Sequence, residues 1–438
     1  MKTIKLLVCA VAISFIQVAQ AIPQIEHWVT ENGARVFFVA APEIPIVDIR
    51  FVFSAGSSRD ASKPGLANIV SQLVKEGAGD LDTNEFNEQL AQTGAIFSTG
   101  ALRDMAWISL RSLSEEQYLE PALGLLQSVL SRPRFDNDAF ERRRATALIS
   151  IKRDKQSPGS IASKAFYKAV YGDHPYAVSP SGTQASVASL NIDETVVFRE
   201  RYYVANNATL AIVGALNKAQ AQALAARLSA GLKPGEKPAD LKTVSQLVAP
   251  IEQRIDHPSI QSHVRIGQPG MRRGDPDYFP LLVGNHVLGG SGLVSILFDE
   301  VREKRGLSYS VSSHFSPMAA LGPFTASLQT DGSQVDEAIS VLRNEIRKFI
   351  DDGPKVDALE AAKQNLIGGF PLRISSNSKT VEYLTMIGFY NLPLDYLKTF
   401  STHVEAVSVD DVRSAFTRRL DPDKMVLVVV GKKNSDGG

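Results

Sequence analysis

The feature that most constrains this chain is that it repeats itself. Thr209-Leu210-Ala211-Ile212-Val213-Gly214 returns as Val426-Leu427-Val428-Val429-Val430-Gly431, the closing glycines lying 217 positions apart. Each run follows an Asp-opened helical stretch with a Phe inside it, Asp193 to Arg201 with Phe198 and Asp410 to Arg419 with Phe416. Upstream, Ile108-Ser109-Leu110 before the helical pattern Glu115–Leu130 matches Ala326-Ser327-Leu328 before Val335–Ile350, at an offset of 218. Three matches at a nearly constant offset imply a duplicated unit, each copy about 200 residues long. Gly231-Leu232-Lys233-Pro234-Gly235-Glu236-Lys237-Pro238 is a polar, Pro/Gly-rich separator. The reading is therefore an N-terminal domain at 22–230, a linker at 231–242 and a C-terminal domain at 243–438.

Within each copy the periodicity switches between two and about 3.6 residues. His27–Ala40 reads as a hairpin around Glu31-Asn32-Gly33, a favoured turn sequence. Val47–Ser54 and Met105–Ser112 alternate like strands, while Glu85–Gln92, Glu115–Leu130 and Asp138–Lys155 have helical spacing. Hairpin-linked strands mixed with long helices predict an α+β fold: in each domain, an antiparallel β-sheet with helices packed on one face.

Residues 1–21 read as an address. Met1–Lys5 carries two lysines, Leu6–Ile16 is an apolar run of 11 residues, and Val18-Ala19-Gln20-Ala21 has the small-x-small form of a signal-peptidase site. That run falls short of the ~20 residues that span a bilayer. Cleavage after Ala21 would discard the only cysteine, Cys9, and deliver a periplasmic or secreted protein with no membrane span, no disulfide and no thiolate metal site. The 47 basic residues balance 47 acidic ones, so bulk electrostatics predict no nucleic-acid partner. The short runs Glu141-Arg142-Arg143-Arg144 and Arg302–Arg305 read as solvated helix faces.

Ser54-Ala55-Gly56-Ser57-Ser58-Arg59-Asp60 followed by Lys63-Pro64-Gly65-Leu66-Ala67 resembles the entry to the active-site helix of the pitrilysin/insulinase-like metallopeptidases. This family of inverted zincins includes the mitochondrial processing peptidase and the core proteins of the bc1 complex. His174-Pro175-Tyr176, Gly182-Thr183 and the segment from Leu297 to Tyr309 (Leu-Phe-Asp-Glu-Val-Arg-Glu-Lys-Arg-Gly-Leu-Ser-Tyr) are similar to it as well. The resemblance runs through nearly the whole chain beyond residue 21, and it implies the family's tandem fold.

The family's chemistry needs His-x-x-Glu-His on one helix, two imidazoles for zinc and a carboxylate to activate water. The helix Leu66–Lys75 keeps an inward stripe of Leu66, Ile69, Val70 and Leu73. Where the resemblance places His, Glu and His, it carries Asn68, Ser71 and Gln72, which are poor zinc ligands and no base. The family's third ligand should fall near 147–152, a stretch without an acid, flanked by Glu141 and Asp154. The seven histidines are scattered and supply no His-x-x-x-His pair. No catalytic residue and no metal are assigned to this chain.

In active relatives an Arg and a Tyr seven residues apart bind the peptide at the scissile bond, and Arg302 and Tyr309 match them in type and spacing. Leu293–Lys304 reads as an amphipathic helix, Gly306 as its stop and Leu307–Phe315 as a strand, so the two side chains can converge. Their fork of donors and hydroxyl suit a carbonyl that gains charge. The plain alternative pairs Arg302 with Asp299 or Glu303 and packs Tyr309 beside Leu307 and Val311. Gly289-Gly290-Ser291-Gly292 lacks the Lys of a phosphate loop and reads as a flexible helix entry.

The resemblance thus implies a non-catalytic subunit of a heteromeric zinc metallopeptidase. Its partner would be a zinc-bearing homologous peptidase subunit and its ligand a peptide substrate, with zinc in the partner and none in this chain. Two other readings stay open: a scaffold or peptide-binding protein without catalytic association, and an autonomous peptidase with an unrecognised metal site.

Overall fold

A computed structural model describes residues 24–432; the leader read at 1–21 lies outside the described residues. The expected hairpin is strand β1 (Glu26–Val29) paired with β2 (Arg35–Ala40), with Trp28 opposite Val36. Gly33 closes the turn at φ 96°, a backbone angle that side chains with a Cβ resist. With β3 (Ile46–Phe53), β4 (Ile96–Ala101), β5 (Ala106–Leu113) and β6 (Ala208–Gly214) they form a six-stranded sheet ordered β1-β2-β6-β3-β5-β4. The second half supplies β7 (Ile251–Asp256), β8 (Gln261–Met271), β9 (Ser310–Phe315), β10 (Gly322–Asp331) and β11 (Val426–Gly431), ordered β7-β11-β8-β10-β9. With β1 set aside, the two orders correspond strand for strand. Duplication is visible in the topology itself.

The class is α+β as expected, and each sheet is mixed. Every pairing is antiparallel except β2 with β6 and β11 with β7. Those exceptions arise because β6 and β11 return after long helical excursions and insert between strands already laid down, as parallel pairing requires. Every residue of β6 and β11 is buried. Covered on both faces, they read as unbroken apolar runs rather than alternating ones. This is why the two segments were the clearest repeat.

The opposite faces of these strands enter different cores. Leu210 and Ile212 of β6 join Phe51, Ile69 and Leu126, a core made from the first half alone. Ala211 and Val213 face the other way, into a core otherwise dominated by the second half. The cover on that side is the helix Asn377–Phe389, a second-half element lying on β2, β3 and β6. Reciprocally, the first-half helix Pro158–Tyr171 lies on β8 and β11, burying Phe166 against Val426, Val428 and Val430. Each half therefore packs its own helices on one face of its sheet and receives one helix from its twin on the other. The contact is close: a Cβ added to Gly388 would sit 2.4 Å from Phe37 Cε2 and 2.6 Å from Thr209 Cγ2.

The segment between the halves carries no helix or strand but is docked. Leu232 and Val244 are buried in separate cores, and Ala205 N–H donates to Lys233 O at 3.0 Å. No helix among the described residues is long and apolar enough to cross a membrane.

Candidate functional site

The helix at the family's zinc position spans Leu66–Leu73. Its entry is organised by Asp60, whose carboxylate accepts the Gly65 N–H at 2.7 Å and the Ala67 N–H at 2.8 Å, capping two of the helix's orphan donors. Burial pushes this carboxyl up to about 7, against the pull of the two amides. Gly182 packs so tightly on this entry that a Cβ there would lie 2.3 Å from Pro64 O, which gives the Gly182-Thr183 motif a structural role. His174 also shapes a loop: its Nδ1 accepts the Tyr176 N–H at 3.2 Å, so Nε2 donates to Lys242 O at 2.9 Å. Burial accordingly lowers its pKa, favouring the neutral ring.

Leu66, Ile69, Val70 and Leu73 are all buried, as the inward stripe requires. Asn68 and Gln72 are half-buried one turn apart, and neither side chain makes a hydrogen bond among the described residues. Ser71 is fully buried and donates to Asn68 O at 2.8 Å, satisfying itself on its own helix. Around the expected third-ligand position, Ile149 is 71% exposed, Asp154 pairs with Lys164 at 2.9 Å and Glu141 with Arg144 at 2.6 Å. Among the described residues no three His, Cys, Asp or Glu side chains gather as a metal site would need. The residues present do not fit a zinc ion.

The run Arg142-Arg143 is more than a solvated face. Arg143 Nε donates to Glu76 at 2.8 Å, and Arg142 approaches the same carboxylate at 3.4 Å. Glu76 is only 4% exposed, so this pair ties the end of the Leu66–Leu73 helix to the helix Asn137–Asp154.

In the second half, the segment read as one amphipathic helix over Leu293–Lys304 is broken. A 3-10 turn at Gly292–Val294 leaves Leu293 and Val294 exposed, Ser295 then caps a short turn Ile296–Phe298, and a wide π turn follows at Asp299–Glu303. Gly306, at φ 64°, stops it as expected. The predicted strand begins later, at Ser310, because the Ser308 hydroxyl bonds Ser310 O at 2.8 Å and Gln329 O at 2.6 Å, shaping a turn ahead of β9.

These two irregular elements bring Arg302 and Tyr309 together. Arg302 Nη1 donates to Tyr309 O at 3.4 Å, its guanidinium lies 4.7 Å from the Phe298 ring centre, and Glu303 is 3.7 Å away. Tyr309 is 84% exposed, and its hydroxyl has no partner among the described residues. Of the plain alternative's contacts, Arg302 makes a long one to Glu303, and Tyr309 is largely exposed. No hydrogen bond or ion pair joins this pair to Asn68, Ser71 or Gln72. Both β4, beside the degenerate helix, and β9, which follows Tyr309, are edge strands with one free side.

A duplicated mixed-sheet fold with a helix at the zinc position but no ligands on it defines the class: an inverted-zincin peptidase homologue. A family model described as insulinase (peptidase family M16) matches residues 35–184, and one described as the M16 inactive domain matches 189–366. A crystal structure of a peptidase M16 inactive domain from Pseudomonas fluorescens superimposes with TM-score 0.91 at 37% identity, covering 94% of this chain and all of that one. A non-peptidase homolog from Helicobacter pylori is 24% identical over 90% of both chains. A chain of complex III2 from Candida albicans shares the fold, with TM-score 0.78 at 16% identity over 93% of this chain and 95% of that one. The chain belongs to peptidase family M16, as an inactive homologue without the zinc-binding motif.

Proposed function

We propose that this chain is the non-catalytic subunit of a secreted, periplasmic heteromeric zinc metallopeptidase. In it, Arg302 and Tyr309 hold a peptide substrate against zinc carried by a homologous partner subunit. The observation that carries the reading is the availability of the pair: the half-exposed Arg302 guanidinium contacts only the Tyr309 carbonyl, the Phe298 ring and Glu303 at 3.7 Å, and the exposed Tyr309 hydroxyl has no partner among the described residues. A guanidinium and a hydroxyl that are both available to a ligand suit a peptide carbonyl whose charge grows during acyl transfer. Assembly with another subunit is supported by the likeness in fold to a chain of a multi-subunit complex.

The test is reconstitution with a zinc-bearing homologue from the same organism. Arg302→Ala and Tyr309→Phe should each lower peptide turnover at least about tenfold, the loss of one transition-state donor, while assembly is unchanged. Unaltered turnover in both variants would refute the role. Amino-terminal sequencing of the exported chain tests the leader, with Ile22 as the expected first residue.

A further inference from the structure

Five cations that the proposed peptide site does not use converge on one cleft at the seam of the molecule. Arg35 comes from the start of β2, Arg59 from the loop before the Leu66–Leu73 helix, Lys237 from the connecting segment, and Arg272 and Arg273 from the end of β8. Among the described residues none of the five has a carboxylate within ion-pair distance, so no close ion pair relieves the convergence. The cleft's two acids relieve it only in part, supporting the charge on Arg59 from a distance and leaving five cations against two carboxylates. Asp104 is occupied by hydrogen bonds from two phenols and an amide, and Asp240 pairs with no base.

The guanidinium contacts are also incomplete. The Nε atoms of Arg59 and Arg273 are buried and unpartnered. Arg59 has one neutral contact, its Nη2 donating to Ser54 at 3.1 Å, while Arg35 bonds Thr209 at 2.8 Å and Asn391 at 2.5 Å. Burial works against the charge on Arg35 and Arg59, a cost that a bound anion would relieve. Arginine forks match the planar or tetrahedral oxygens of carboxylate and phosphate, and three asparagines (Asn206, Asn207 and Asn391) complete a polar wall. The space is about 240 Å³, enough for several waters or a small solute but not for a folded partner.

We propose that this cleft binds a small multivalent anion carrying two or more phosphate or carboxylate groups. Because its cations come from both halves and the segment between them, the bound anion ties the two halves together.

Calorimetric titration of the purified chain with inorganic diphosphate and, separately, with citrate at physiological salt tests this. One saturable site for at least one of them is expected, and the tighter ligand assigns phosphate or carboxylate chemistry. Replacing the two exposed cations together, Lys237→Gln with Arg272→Gln, should weaken binding at least about tenfold without altering the unfolding temperature of the ligand-free protein. Arg59→Gln should abolish binding, and Arg302→Ala should leave it intact, which separates this site from the peptide site. Absence of saturable binding for both anions, or binding that survives the Lys237/Arg272 double replacement, overturns the proposal.

Discussion

The carboxylate of Asp104, in the turn between β4 and β5, accepts the phenol of Tyr390 at 2.9 Å, across 286 residues of sequence. It also accepts the Tyr176 hydroxyl and the Ala319 N–H, the latter at 2.8 Å. Asp104 is 4% exposed and Tyr176 fully buried, so one largely buried carboxylate joins both halves. Burial, reinforced by this neighbouring charge, holds both phenols well above the ordinary tyrosine range, and they remain donors at any physiological pH.

Removing one donor should cost less than removing the shared acceptor. Tyr390→Phe is expected to lower stability by about 1–2 kcal/mol, whereas Asp104→Ala, which strands three donors, should cost about 3 kcal/mol or more. Urea unfolding measures both. In the Asp104→Ala background Tyr390→Phe should be nearly silent, and a full additive loss would show that the hydroxyl stabilises the fold by some other contact.

The exchanged helices make the halves mutually dependent. Without Asn377–Phe389, the first sheet would expose Phe37, Val39, Ala211 and Val213; without Pro158–Tyr171, the second would expose Val426, Val428 and Val430. Each half expressed alone is expected to aggregate, while the two co-expressed should assemble into a soluble pair. Gly388→Ala, which drives a methyl into Phe37 and Thr209, should cost about 1–3 kcal/mol by overpacking. A soluble, cooperatively unfolding single half would overturn this account.

Much of the fold could be read before any coordinates because it rests on local pattern. The Glu31-Asn32-Gly33 turn is set by the positive φ of Gly33, the alternation of β5 by its one buried face, and the apolar runs of β6 and β11 by burial on both. The helix exchange could not be read, since Phe166 and Leu384 present the same apolar pattern whichever sheet they cover. Arg142 and Arg143 looked solvated because Glu76 lies 66 and 67 positions away. The break at Ser295 in the segment read as one helix carries no signal in the spacing of its apolar residues. Asp104 carries no signal in sequence, its partners being as far as Tyr390.

Asp60 should impose a pH dependence on the fold. Its carboxyl titrates near 7 in the folded protein against an ordinary value of 3.8, so the folded state holds a proton that the unfolded chain releases. The stability contributed by that proton is full at or below about pH 4 and declines by up to about 1.4 kcal/mol per pH unit until the carboxyl ionises. Above that the contribution is flat. Urea midpoints at about pH 5 and about pH 8 should therefore fall more steeply for the natural protein than for Asp60→Asn. Identical slopes would mean that the two amide bonds from Gly65 and Ala67 keep Asp60 ionised throughout.

The degenerate helix offers a graded test of what was lost with the metal. Asn68 and Gln72 are half-buried, unbonded and one turn apart, so histidines placed there can approach one ion from the same face. Asn68→His combined with Gln72→His supplies only two ligands, so it is expected to bind zinc weakly and to be raised in melting temperature only when zinc is in excess. Ser71 is different. It is fully buried and satisfied by Asn68 O, so Ser71→Glu puts a carboxyl where there is no partner and should cost about 2–4 kcal/mol in the absence of metal. In the triple variant, zinc should recover part of that loss by pairing with the new carboxylate. If Ser71→Glu alone proves neutral, the helix still has room for the family's base, and its absence would be a change of chemistry without a change of packing.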